Sequence, residues 1–159
     1  MLPRTQAELD KTRDECYSMV TTRATMSAGT SAIPTPGVDI AADLAIMMEL
    51  LPAINRKFGL TPEQIEGYSE TNKKLLYQVL KQAGKALVGQ TVTKALVGQA
   101  LKKIAGRAAT KQVLKFVPVV GWFANAAIGF GAMKYMGNSH VDDCYDVCKK
   151  IIMTDNLPG

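Results

Sequence analysis

The sequence predicts an all-α fold: a single helical domain of about seven helices, packed as helical hairpins. Apolar residues recur at helical spacing through most of the 159 residues. Residues that start and stop helices flank those stretches. The short valine runs, by contrast, lack the alternation and hairpin turns of strands. With 47% hydrophobic and 21% charged residues, the chain is able to bury a core of its own.

The first helix is predicted within residues 1–32. Thr5 and Glu8 form a capping-box pattern at its start. Residues at helical spacing give it one apolar face: Leu9, Cys16, Val20 and Ala24. The N-terminal segment is charged from Arg4 onward, which is not typical of a secretory signal peptide. Together with only three cysteines, this predicts a reducing compartment and no disulfide framework.

Residues 33–70 are predicted to form a first Pro/Gly hairpin. Its helix begins near Pro36, a residue type favoured at the first helical position. The apolar face of that helix contains Ile40, Leu44, Met47, Met48 and Leu51. In the segment "FGLTPEQIEG", Gly59 predicts a helix end and Thr61 an N-cap, with Gln64 closing a capping box.

The basic middle helices are predicted over residues 71–116. Residues 71–141 carry 11 Lys and Arg and no acid, whereas the rest of the chain carries 8 cations and all 14 acids, a net charge of −6. The hexapeptide "KALVGQ" occurs at 85–90 and again at 94–99. Equivalent residues nine positions apart point to opposite sides of a continuous helix, which excludes one binding face built from both copies. A break is expected within 89–93.

A second Pro/Gly hairpin and a C-terminal helix are predicted over residues 117–159. "VPVVG" opens a helix to about Met136 and echoes "IPTPG" at the start of the first hairpin. "GNSHVDD" is expected to stop that helix, with Ser139 capping the last one. The last helix has an apolar face of Cys144, Val147, Cys148 and Ile151.

None of the familiar catalytic or metal-binding patterns is complete. A P-loop around Gly84-Lys85 would need glycine and Ser/Thr where Val79 and Ala86 stand. His140, Cys144 and Cys148 lie four residues apart on one helix face, but no second pair completes a zinc site. We expect these two cysteines to be buried apolar residues, with His140 near the helix start.

Two carboxylate pairs suit helix N-termini better than acid–base chemistry. Asp39 and Asp43, and likewise Asp142 and Asp143, are expected in the first turns of their helices, where the dipole favours negative charge. The sequence therefore predicts no enzymatic activity, no catalytic residue, no cofactor and no metal.

Two features favour contact with an anionic membrane surface. Lys103, Arg107, Lys111 and Lys115 recur every four residues along one helix face. Residues 116–133 contain no charge over a length just short of a membrane span. A buried core helix and a solvated basic face are the alternatives. Nucleic acid is the poorer candidate, because the basic segment carries few aromatic residues for stacking and no known reading motif. The predicted contact residues are Lys94, Lys102, Lys103, Arg107, Lys111, Lys115, Trp122 and Phe123.

Segments spread over residues 15–153 resemble the C-terminal helical region of the immunity-related (interferon-inducible) GTPases. The resemblance is carried by "AIPTPGVDIAADLAIMMELLPAINRKFGLTPEQI", "FVPVVG" and "MKYMGNSHVDDCYDVCKKI". It implies an innate-immunity role in which a GTPase domain precedes this region and the whole protein oligomerises on intracellular membranes. GTPase activity does not carry over, because this chain has no P-loop, switch or base-specificity motif.

The sequence thus predicts a non-enzymatic module for membrane association and self-assembly, located in the cytoplasm and peripherally attached to intracellular membranes. Its expected partners are anionic lipid, a second copy of the chain, and a GTPase domain or another protein. Two alternatives stay open: a small membrane-permeabilising, toxin-like effector, and an adaptor that docks acidic protein surfaces.

Overall fold

The computed structural model of the chain describes residues 1–30, 38–84, 87–100 and 121–155. In these ranges five helices have defined bounds: α1 (Gln6–Thr30), α2 (Val38–Lys57), α3 (Pro62–Glu66), α4 (Glu70–Ala83) and α5 (Gly121–Asp155). Residues 94–100 are also helical, and no residue in these ranges lies in a strand. The all-α prediction is confirmed, whereas the count of about seven helices is not. Side chains are described except at 27–30, 38–43, 121–130, 132 and 155.

Helix α1 buries the apolar face that its sequence pattern predicts. Leu9, Cys16, Val20 and Ala24 are all 0% exposed. The Thr5 hydroxyl accepts a hydrogen bond from the Glu8 backbone N–H, so the predicted cap at the start of the helix is also present. Four side chains of modest size, one per turn or two, therefore fix α1 against the rest of the bundle.

The turn between α2 and α3 forms as its residues predict. Gly59 has φ 74°, the left-handed conformation that ends a helix at low cost for glycine. Thr61 is the N-cap of α3, and Gln64 completes the capping box. A Cβ at Gly59 would lie 2.5 Å from the backbone N of Leu2, so glycine is also required for close approach of the N-terminal segment.

The two copies of the hexapeptide adopt different conformations. Helix α4 ends at Gly84, which has φ 61°. Residues 87–90 of the first copy form a turn in which Gly89 has φ 71°. Residues 94–99, the second copy, are helical. The predicted break between the copies is confirmed.

Helix α5 corrects the prediction for residues 117–159. It runs without interruption over 35 residues, so "GNSHVDD" neither stops one helix nor caps another. Ser139 is not an N-cap, and Asp142 and Asp143 lie mid-helix rather than in a first turn. Gly137 serves packing instead: a Cβ there would lie 2.6 Å from Cγ1 of Val20. The predicted second hairpin is therefore wrong within the described residues.

The helices α2 and α5 start at the end of the bundle where α1 finishes. Glu15 in the first half of α1 pairs with Lys57 at the end of α2, whereas Arg23, later in α1, pairs with Glu49, earlier in α2. These two helices are therefore antiparallel. The hydrogen bond from Gln6 to Tyr145 and the contact of Val20 with Gly137 show that α1 and α5 are antiparallel too. We call this end, where Thr30, Val38 and Gly121 lie, the distal end.

Candidate functional site

Of the eight predicted membrane-contact residues, two lie at the distal end, one lies in the helical segment 94–100, and five lie outside the described residues. Trp122 and Phe123 lie in the first turn of α5, and their side chains are not among those described. Lys94 is exposed at the first residue of the helical segment 94–100, where the Thr93 hydroxyl accepts from the Leu96 backbone N–H. The other five predicted contacts lie outside the described residues: Lys102, Lys103, Arg107, Lys111 and Lys115.

Most acids that form ion pairs in the described residues are paired with cations of their own flanks. Asp10 and Asp14 both pair with Arg13. Glu15 pairs with Lys57 at 2.7 Å, and Glu49 with Arg23 at 3.3 Å. These pairs cross between α1 and α2 or lie within α1. These four acids therefore already have cation partners, and those partners lie outside the basic middle.

Cations of the basic middle behave differently in the described part of the chain. Lys73 bridges Glu66 and Glu70, at 3.2 and 3.3 Å. Lys74, Lys81 and Lys94, in contrast, are exposed and form no ion pair with any described residue. Within the described residues, no acid competes with an external anion for these three side chains.

A buried polar junction connects α2 and α5. Asn55 is 1% and His140 2% exposed. Oδ1 of Asn55 lies 3.0 Å from Nε2 of His140, and the thiol of Cys144 donates to the same oxygen at 3.4 Å. Nδ2 of Asn55 donates to the backbone carbonyl of Leu87 at 3.1 Å. We call Asn55, His140, Cys144 and Leu87 the Asn55 junction.

The electrostatics of the Asn55 junction make it structural rather than catalytic. Burial lowers the pKa of His140 from 6.5 to about 4, with the Leu51 backbone opposing part of the shift. Burial raises the pKa of the Cys144 thiol well above 9.0 and that of Cys148 to about 12. A neutral imidazole beside a protonated, inaccessible thiol does not supply a nucleophile. The prediction that these cysteines are buried is confirmed, but His140 is not near a helix start.

An exposed network around Tyr145 joins α1 to α5. The Tyr145 hydroxyl donates to Oδ1 of Asp10 at 2.8 Å and accepts from Nε2 of Gln6 at 2.7 Å. The hydrogen bond from the Tyr145 hydroxyl lowers the pKa of Asp10. The Arg13 guanidinium lies 4.9 Å from the Tyr145 ring centroid. Sequence reasoning missed both this network and the Asn55 junction, because each joins residues far apart in the chain.

A pocket of about 340 Å³ lies beside the N-terminal segment. It is lined by residues of the chain start, the α3–α4 connection, α4 and α5, among them Arg4, Tyr68 and Asn72. The Tyr68 hydroxyl already donates to the Gly59 carbonyl at 2.7 Å. No carboxylate or thiol lines this pocket. The described residues also contain no group of three or more His, Cys, Asp or Glu side chains that could hold a metal ion.

Comparisons with known proteins give no assignment. No family model, no curated protein and no solved structure matches the chain. Among the helices in the described ranges, none has the combined length and apolar character that crossing a membrane requires.

Proposed function

We propose that the chain is a non-enzymatic helical module that attaches peripherally to anionic intracellular membranes and self-assembles there. The observation that carries the proposal is the pairing of the acids. Asp10, Asp14, Glu15 and Glu49 are engaged by cations of the flanks, while Lys74, Lys81 and Lys94 have no described acid partner. The basic middle therefore retains charge that favours an external polyanion.

The position of the uncharged stretch supports the same proposal. Helix α5 begins at the distal end with residues 121–133, which carry no charge and include Trp122 and Phe123. The last charged residue before them is Lys115, the final member of the series of four basic residues that recur every four positions from Lys103. Basic residues followed directly by an aromatic, uncharged helix start are typical of segments that bind the headgroup region.

The C-terminal end of the same uncharged stretch favours peripheral attachment over insertion. Met133 and Met136 are 1% and 4% exposed, so this part of α5 belongs to the core. Inserting residues 116–133 as a unit would have to break α5 or withdraw Met133 from the core. Each fully buried methionine contributes about 1.5–3 kcal/mol by its burial.

The resemblance to the helical region of immunity-related GTPases also supports membrane attachment and self-assembly. Within this proposal the chain acts in innate immunity beside a GTPase domain or another protein, on the cytoplasmic face of the membrane. The continuous α5 is compatible with the segment "MKYMGNSHVDDCYDVCKKI", all of which lies inside that helix.

Vesicle co-sedimentation tests the proposal. We expect binding to vesicles containing 30% phosphatidylserine, little binding to pure phosphatidylcholine, and release at high salt. Reversing Lys103, Arg107, Lys111 and Lys115 to Glu should weaken binding at least about 100-fold, since each basic residue contributes about 1 kcal/mol near such a surface. The charge-matched control reverses four exposed cations outside the basic middle: Arg4, Lys11, Arg56 and Lys150.

Dye release from the same vesicles separates the remaining functions. Binding without leakage supports the module, and leakage at low protein-to-lipid ratio supports the permeabilising effector instead. Absence of binding to anionic vesicles contradicts both membrane functions and leaves the adaptor. Equal loss of binding in the two reversed variants would show that net charge, not the basic middle, is responsible.

A further inference from the structure

Hydrogen bonds and close packing hold the walls of the pocket beside the N-terminal segment in place. The Tyr68 hydroxyl donates to the Gly59 carbonyl at 2.7 Å, and the Leu2 backbone forms a hydrogen bond with the same hydroxyl. A Cβ at Gly59 would lie 2.5 Å from the Leu2 backbone N and 2.6 Å from the Tyr68 hydroxyl oxygen, so this arrangement requires glycine. The start of the chain is therefore anchored to the turn between α2 and α3. We call this cavity the Arg4 pocket.

Aliphatic side chains form part of the wall of the Arg4 pocket. Pro3 is buried and Ile151 is 5% exposed, while Leu2 and Ile152 are half-buried. The volume of about 340 Å³ lies at the lower end of the range found for small-molecule sites. The pocket is consequently suited to a small ligand that has an apolar part.

The polar side chains of the Arg4 pocket favour an anion. Among the described residues that line the pocket, Arg4 alone has a charged side chain, and that side chain forms no ion pair with a described acid. The Arg4 backbone N–H donates to the Glu8 carboxylate at 2.9 Å, which fixes Arg4 at the start of α1. The Asn72 backbone N–H donates to the Ser69 hydroxyl, whereas the Asn72 side-chain amide has no partner among the described residues. A guanidinium and an amide donor in one pocket are the groups that bind a carboxylate or a phosphate.

The small number of available polar groups favours a ligand with one polar end. The Tyr68 hydroxyl is already engaged by Gly59 and Leu2, so Arg4 and Asn72 are the side chains of the pocket that remain to bind polar atoms. A peptide would bring several amide groups, each of which loses stability if it is buried without a partner. An anionic group on a hydrocarbon chain needs hydrogen-bond partners at one end only.

We propose that the Arg4 pocket binds a small amphipathic anion, a carboxylate or a phosphate carried by a short aliphatic chain. The anionic group binds to Arg4 and Asn72, and the aliphatic chain packs against Leu2 and Ile151. Arg4 precedes the start of α1 and Ile151 lies near the end of α5, so the pocket is at the opposite end of the bundle from the distal end. The inference therefore does not depend on the proposed membrane contact.

An NMR titration of the full chain tests the proposal with four probes: octanoate, octyl phosphate, octanol and acetate, each below the concentration at which it forms micelles. Octanoate and octyl phosphate should bind saturably, and the amides of Leu2, Arg4, Asn72 and Ile151 should shift most. Octanol should bind at least about 10-fold more weakly, because it lacks the charge that strengthens hydrogen bonds to a guanidinium. Acetate should also bind at least about 10-fold more weakly, because it lacks the apolar chain.

Two variants and one matched control assign the binding to the pocket. Arg4→Gln removes the charge and Asn72→Leu removes the amide at similar size, and each should weaken octanoate binding about 10-fold without weakening octanol binding. Asn72→Leu keeps the backbone N–H that Ser69 caps, so α4 should retain its start. Arg56→Gln removes an exposed arginine that does not line the pocket, and it should bind octanoate as the wild type does.

The probe series on the wild type decides the proposal even if a variant fails to fold. Octanol binding as tight as octanoate binding, or the largest shifts in the first turns of α5 instead of at the pocket, would overturn it. Equal weakening by Arg4→Gln and Arg56→Gln would show that net charge is responsible. Tighter binding of a short peptide with a free C-terminal carboxylate than of octanoate would overturn the assigned ligand class.

Discussion

Substituting Gly137 by alanine tests the packing that lets α5 continue through a sequence that resembles a helix stop. A Cβ at Gly137 would lie 2.6 Å from Cγ1 and 2.9 Å from Cγ2 of Val20, both too close for unaltered packing. Valine is β-branched and has little rotamer freedom in a helix, so the backbones of α1 and α5 must separate.

The expected magnitude is a difference between two opposing effects. Overpacking a well-packed core costs about 1–3 kcal/mol. Replacing glycine by alanine inside a helix returns about 1 kcal/mol. Gly137→Ala should therefore lower the free energy of unfolding by about 0–2 kcal/mol, measured by urea denaturation with far-UV circular dichroism.

A double-mutant cycle with Val20→Ala isolates the contact from the helix propensity. Val20→Ala removes both close methyl groups, so adding Gly137→Ala in that background should stabilise the chain. We expect a coupling energy of about 1–3 kcal/mol between the two positions.

Gly131 is the matched control in the same helix. It is exposed, and a Cβ there meets nothing within 4 Å. Gly131→Ala should raise the free energy of unfolding by up to about 1 kcal/mol in either background. If Gly137→Ala stabilises as much as Gly131→Ala, the close approach of α1 to α5 is not what requires this glycine.

Three further predictions concern the core and its edges. Gly59→Ala should lower the free energy of unfolding by about 2–4 kcal/mol in the same urea assay, since strain at φ 74° adds to a 2.5 Å clash with the Leu2 backbone. The control Gly84→Ala, at φ 61° with open space around it, should lower it by only about 1–2 kcal/mol. Because the pKa of His140 is lower folded than unfolded, its contribution to stability is complete above pH 6.5 and declines as the pH falls toward about 4. Chemical denaturation should show a loss of about 2 kcal/mol from pH 7 to pH 5, and none in His140→Gln. All three cysteines are 0% exposed, so a thiol reagent should label the native chain on the order of 10³-fold slower than the chain in urea; fast labelling of one cysteine would show a local opening there.

The sequence predicts best those features that are decided within a few residues. The capping box of Thr61 and Gln64 and the buried face of α1 both follow from local spacing, and both are present. It fails at Gly137, where a glycine that resembles a stop instead makes room for Val20, 117 positions earlier in the chain. The size that a neighbouring helix requires at a position leaves no trace in the local pattern.

The candidate site divides in the same way. Composition shows the acid-free basic middle directly. It does not show which acids already form ion pairs, because pairs such as Lys57 with Glu15 join two different helices. The Asn55 junction joins residues 85 positions apart, and a single asparagine in an otherwise apolar helix face gives no signal of its partner. The i, i+4 spacing of His140 and Cys144 predicted that both side chains lie on one face of a helix. It did not predict that Asn55 of α2 contacts that face.

The continuity of α5 separates the proposed membrane contact from the Asn55 junction. Phe123 and His140 lie on one helix, roughly 25 Å apart at 1.5 Å per residue. A bilayer that contacts the first turns of α5 therefore remains far from the Asn55 junction, so the proposed membrane contact does not involve the buried polar contacts between α2 and α5.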